Sequence, residues 1–120
     1  MSTDSLFPVT VYGSSISYFT GKLENYFRIK GIPYRFQALT ERQHSRLVRD
    51  NTGSTQMPAL QLADGRWMTD TTPVIQWFES AYPAPAVIPV DPLQRFFSLL
   101  LEDYADEWLW RPAMHYRWYY

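Results

Sequence analysis

Apolar and polar residues follow two different periods along this chain, and the places where the period changes mark its elements. "VTVY" (residues 9–12) is short, β-branched and aromatic and runs into Gly13, which predicts a strand. After the polar run "GSSIS", the residues Phe19, Leu23, Tyr26 and Phe27, with the stem of Lys30, recur at helical spacing. They predict a helix over 18–30, and Gly31 is placed to stop it. "IPYRFQAL" (32–39) predicts a second strand with Pro33 near its start, and "ERQHSRLVRD" (41–50) a weakly apolar helix. The polar loop "NTGSTQ" follows.

"MPALQLADGRWMTD" (57–70) reads as a hairpin, with Ala59–Leu62 and Arg66–Met68 as strands and Asp64-Gly65 as the turn. Pro58 stands at the entrance of the first of these strands, where it has no N–H to give a ladder. Residues 69–72 offer several helix N-caps, and Pro73 suits a first turn. Val74, Ile75, Trp77 and Phe78 then give a helix through about Tyr82 its buried side. "YPAPAVIPVDP" (82–92) is a proline-rich linker. Beyond it Leu93, Phe96, Phe97, Leu100, Leu101, Tyr104 and Trp108 trace one apolar helical face, with Glu102, Asp103, Asp106 and Glu107 between them.

The closing "WLWRPAMHYRWYY" crowds Tyr116, Trp118, Tyr119 and Tyr120 into the last five positions. So much aromatic area packs against something. Further helices downstream are the first expectation, a dimer interface the second, a membrane-surface anchor the third. The chain therefore reads as part of a longer protein.

Composition narrows the function. The 120 residues are 46% hydrophobic, ample for a core, and the net charge of −1 excludes polyanion binding as the main role, so no nucleic-acid partner is expected. Between Lys22 and Arg49 basic residues outnumber acidic ones by seven to two. Solvated helix faces account for this excess, with a mild attraction for a small anion as the other reading. Without cysteine there is no disulfide, thiolate metal site or cysteine nucleophile. His44 and His115 lie far apart, so no metal is expected. The start "MSTDSLFPV" is no signal peptide, and no apolar run reaches about 18 residues, which predicts a soluble, intracellular protein without a membrane span.

Strand–helix–strand–helix–strand–strand–helix, then a proline-rich linker and a long amphipathic helix, resembles a glutathione transferase. The likeness runs over about residues 8–108 and rests on three stretches. In "SYFTGKLENYFRIKGIPY" (17–34), Ser17 stands where the family opens its first helix with serine or cysteine, and Lys22 and Leu23 stand where a basic-apolar pair follows. "MPAL" (57–60) is similar to the apolar-proline pair before the third strand, and "DTTPVIQWF" (70–78) to the acidic-or-amide plus serine pair that opens the third helix. Asp70 and Thr71 replace the usual glutamate or glutamine and serine with a shorter reach, and "NTGSTQ" is longer than the usual lead-in to the proline.

The resemblance implies an α/β (α+β) thioredoxin-like βαβαββα domain with a mixed four-stranded sheet over 1–82. A linker over 83–92 and the first helix of a helical domain over 93–120 complete the expected organisation. It implies a cis Met57–Pro58 bond, glutathione as co-substrate, a small-molecule electrophile, a homodimer and a cytoplasmic location. Met57, Pro58, Asp70 and Thr71 would bind glutathione, and Ser17 would stabilise its thiolate, with Ser15 and Tyr12 as alternatives. As plain sequence, Ser17 and the Asp70-Thr71 pair are equally helix caps. Two functions stay open: a transferase, with little turnover expected of this chain by itself, or a non-catalytic binding or scaffold relative. A thiol-disulfide oxidoreductase is set aside, because Ser17 and Thr20 stand where a redox cysteine pair would be.

Overall fold

The computed structural model describes residues 3–119, and the chain divides into two compact units, Met1–Pro85 and Ala86–Tyr120. Tyr120, counted above among the terminal aromatics, lies outside the described residues.

In the first unit β1 (Val9–Gly13), α1 (Tyr18–Lys30), β2 (Tyr34–Ala38), α2 (Glu41–Thr52), β3 (Ala59–Gln61), β4 (Trp67–Thr69) and α3 (Thr71–Ala81) follow in the expected order. A 3₁₀ turn at Thr3–Leu6, which hydropathy did not signal, precedes them. The sheet runs β2-β1-β3-β4, with β1 parallel to β2 and antiparallel to β3, and β3 antiparallel to β4. The parallel pair needs a crossover, and α1 supplies it. This is the mixed four-stranded arrangement the sequence predicted.

Register decides what is buried. Phe36, Val11, Leu60 and Met68 are cross-strand partners and share one face. Val9 and Val11 are wholly buried there under α1 and α3, whose Leu23, Phe27, Val74 and Phe78 complete the core. Phe27 and Phe78 meet edge to face at 5.1 Å. The approach of α1 to β1 requires Gly13, because a Cβ there would stand 2.5 Å from the Thr20 hydroxyl oxygen. The strand expected over 32–39 keeps only 34–38, and Arg35–Ala38 are exposed, as an edge strand allows. Ile32 is buried instead in the stop of α1: Gly31 is left-handed (φ 73°), and the Ile32 N–H closes back on the Phe27 carbonyl at 2.9 Å.

A polar knot ties α1 to α3. The Lys30 ammonium, its side chain 1% exposed, donates to the Glu79 carboxylate at 2.7 Å and to the Pro85 carbonyl at 2.8 Å. The Tyr26 hydroxyl donates to the same carboxylate oxygen at 2.8 Å. Burial, with the Glu79 carboxylate beside it, pushes the Tyr26 hydroxyl far above the ordinary tyrosine range.

The second unit is a helical run: α4 (Pro92–Tyr104), a π turn (Ala105–Leu109) and α5 (Trp110–Trp118). Asp91 caps it, accepting from the N–H groups of Leu93 and Gln94 at 3.1 and 3.0 Å, with Pro92 as the first residue. The uninterrupted helix expected here is thus widened at one turn. Pro112 gives the reason: an interior proline lacks an N–H and clashes with the carbonyl four residues back. The π turn lets an α segment restart at Trp110, so that Pro112 falls within a first turn. No helix among the described residues is long and apolar enough to cross a membrane.

Candidate functional site

The pairing of Tyr12 with Ala59, and of Ala59 with Thr69, aligns the end of β1, the start of β3 and the end of β4. Three connections therefore open at one end of the sheet: residues 14–17 into α1, Met57–Pro58 into β3, and Asp70 into α3. Two helix N-termini flank Met57. Each presents the positive end of a helix dipole, a setting for an anion.

Ser17 is the N-cap of α1, in extended conformation, and its hydroxyl oxygen accepts from the Thr20 N–H at 3.2 Å. A hydroxyl that accepts this bond keeps its own hydrogen to donate. Its backbone is fixed by a bond from its N–H to the Ser14 carbonyl at 3.0 Å. Ser15 is exposed in the preceding turn, and Lys22 is half-buried one turn into the helix. Tyr12 points away from α1, on the face opposite Val11. Its ring stacks on Trp67 at 5.0 Å and its hydroxyl donates to the Gln61 side chain at 3.1 Å. Ser17 and Met57–Pro58 thus lie on connections at the same end of the sheet, and Tyr12 on the face away from α1.

The Met57–Pro58 bond is cis, and Pro58 is buried. Among the described residues, neither the N–H nor the C=O of Met57 takes part in a hydrogen bond.

Among the described residues Asp70 is the non-glycine residue with positive φ (69°, ψ 117°), a conformation costly for a side-chain-bearing residue. Hydropathy gave several caps across 69–72; the structure selects Asp70, whose carboxylate reaches the Thr72 N–H at 3.4 Å. Thr71, the first residue of α3, is 5% exposed. No group of three or more His, Asp or Glu side chains able to hold a metal occurs among the described residues.

Two features of α2 escaped the sequence. His44 is 3% exposed and holds the carbonyl of Gln56, the residue before Met57, through its Nε2 at 2.9 Å. Thr40 and Gln43 form a reciprocal capping box that fixes the first turn of α2. The Thr-x-x-Gln spacing could have revealed the box; nothing local signals the His44 contact.

The family model for the glutathione S-transferase N-terminal domain matches residues 11–86. The chain belongs to the glutathione S-transferase family. Curated protein sequences return no match. A Tau class glutathione S-transferase from mango superposes with a TM-score of 0.74 at 20% identity, covering 88% of this chain and 48% of that one. Glutathione transferase Omega 3C from Trametes versicolor gives 0.76 at 20%, covering 93% and 52%. A glutathione transferase homologue from Sulfitobacter, with bound glutathione, gives 0.74 at 16%, covering 92% and 56%. At such identities the likeness is one of fold, thioredoxin-like with a helical continuation. This glutathione S-transferase chain spans about half the length of these solved relatives.

Proposed function

We propose that this end of the sheet binds glutathione and stabilises its thiolate. The observation that carries the reading is the unpaired backbone of Met57 between two helix N-termini capped by Ser17 and Asp70. Family membership and the glutathione held by the Sulfitobacter homologue support it. An extended tripeptide would pair its cysteinyl backbone with Met57. Its γ-glutamyl carboxylate would lie on the N–H and hydroxyl of Thr71 at the positive end of α3, and its α-amino group against the Asp70 carboxylate.

The cysteinyl sulfur would then face Ser17. A thiol ordinarily titrates near about 8.5, and a hydroxyl donor at a helix N-terminus favours its anion through a charge-assisted bond and the dipole. In the whole protein that thiolate would attack an electrophilic carbon, forming the S–C bond as the carbon's bond to a leaving group, or the π bond of a conjugate acceptor, breaks and carries away its electron pair. Such chemistry belongs in a glutathione-containing, reducing compartment, the cytoplasm, and the family resemblance adds a homodimer.

Retention on immobilised glutathione tests the binding. The folded chain should be retained and eluted by free glutathione, and Asp70→Ala should weaken retention. A folded chain that passes straight through excludes the reading. Ser17→Ala separates the two family roles: a transferase site loses the low thiol titration of bound glutathione, whereas a scaffold relative shows no such titration in the unaltered chain.

A further inference from the structure

We infer that His44 is a positioning residue for the candidate site, acting through the Gln56 carbonyl on the backbone of Met57; its effect on affinity rests on the glutathione reading above. A carbonyl can only accept, so the 2.9 Å contact puts the imidazole hydrogen on Nε2. The other nitrogen, Nδ1, is buried with no hydrogen-bond partner among the described residues. That is an expensive way to fill an interior position, since an aliphatic side chain would leave no polar atom orphaned. What His44 supplies in return is the single donor it gives to Gln56.

The rest of the loop explains why that donor matters. Thr52 Oγ1 donates to the Val48 carbonyl at 2.7 Å and accepts from the Ser54 N–H at 3.1 Å, and the Gln56 N–H donates to Ser54 Oγ at 3.1 Å. These bonds span two to four residues and shape the loop locally. The bond from His44 spans twelve residues and ties the loop's end to α2. His44 is itself held, since its own N–H donates to the Thr40 carbonyl at 2.8 Å within the boxed first turn. The polypeptide therefore reaches Met57 from a fixed point rather than from a free loop. An extended ligand that pairs with Met57 needs that backbone already in place, because ordering it on binding would be subtracted from the affinity.

The test compares the full chain with His44→Gln, whose amide places a donor near the Nε2 position, and with His44→Leu, which has none. Glutathione affinity is read by calorimetry, and the order of the Met57 backbone by its amide NMR line. The expected result is a sharp Met57 line and near-native affinity in His44→Gln. In His44→Leu the line broadens and affinity falls about tenfold, the scale of one net hydrogen bond. If His44→Leu does not fold, His44→Phe keeps the ring volume without the donor and takes its place. Unchanged affinity and a sharp line in the donor-less variant overturn the inference, as does a His44→Gln variant as impaired as His44→Leu. Should the unaltered chain ignore glutathione, the ligand reading fails alone, and the Met57 line still decides whether His44 positions that backbone.

Discussion

The two units carry apolar residues at equally regular helical spacing, yet they use them in opposite ways. In Met1–Pro85 the pattern ends in a core: Phe27, Leu60, Val74 and Phe78 are 2% exposed or less. In Ala86–Tyr120 no residue of α4, the π turn or α5 is buried, and Phe96, Phe97 and Trp108 are each more than half exposed. Periodicity therefore dictates the helix in both, but only a second packed layer turns an apolar stripe into stability.

The largest effect that distinguishes the units comes from the same truncation in each. Phe78→Ala should cost about 3–5 kcal/mol, as removal of a fully packed ring does. Phe97→Ala should stay within about 0.5 kcal/mol. Urea unfolding of the two variants measures both, and equal losses would erase the contrast.

Next comes the knot that closes the first unit. Lys30→Met strips the ammonium from a Glu79 carboxylate that is largely withdrawn from water, at a cost of about 3 kcal/mol. Adding Glu79→Met should recover part of that loss, because the orphaned charge goes with it. A double variant less stable than Lys30→Met would show that Glu79 stabilises the chain through its other contacts, such as the Tyr26 hydroxyl, even without Lys30.

The smallest effect is one of pH. Tyr26 titrates higher in the folded chain than in the unfolded one, so its contribution is complete below the unfolded tyrosine value of about 10 and declines as pH rises above it. Stability should fall more steeply above pH 10 in the unaltered chain than in Tyr26→Phe. Parallel declines in a pH series of unfolding midpoints would place the alkaline sensitivity elsewhere.

Most of the first unit was legible because its information is local. A period of two or 3.6, the Asp64-Gly65 turn and the Gly31 stop each act within a few residues, and every predicted element of the sheet and its helices is present. The parts of the candidate site, Ser17, Met57–Pro58 and Asp70-Thr71, were named through family resemblance more than through residue chemistry, and the structure adds that their connections open at one end of the sheet. What stayed hidden depends on the fold. Lys30 finds Glu79 forty-nine residues away, and His44 finds Gln56 across a loop. The positive φ of Asp70 comes from the bend between β4 and α3, which hydropathy does not encode. In α4–α5 Pro112 stood in plain view, but its consequence, the π turn, lies upstream of it.

The central claim is that Ser17, Met57 and Asp70-Thr71 form one glutathione site, and a titration of the ¹⁵N-labelled chain with glutathione tests it most directly. The amide resonances of Ser17, Met57 and Thr71 should shift together along a single binding curve while that of Phe97 stays in place. Shifts that miss these three residues, or that follow separate curves, would contradict it.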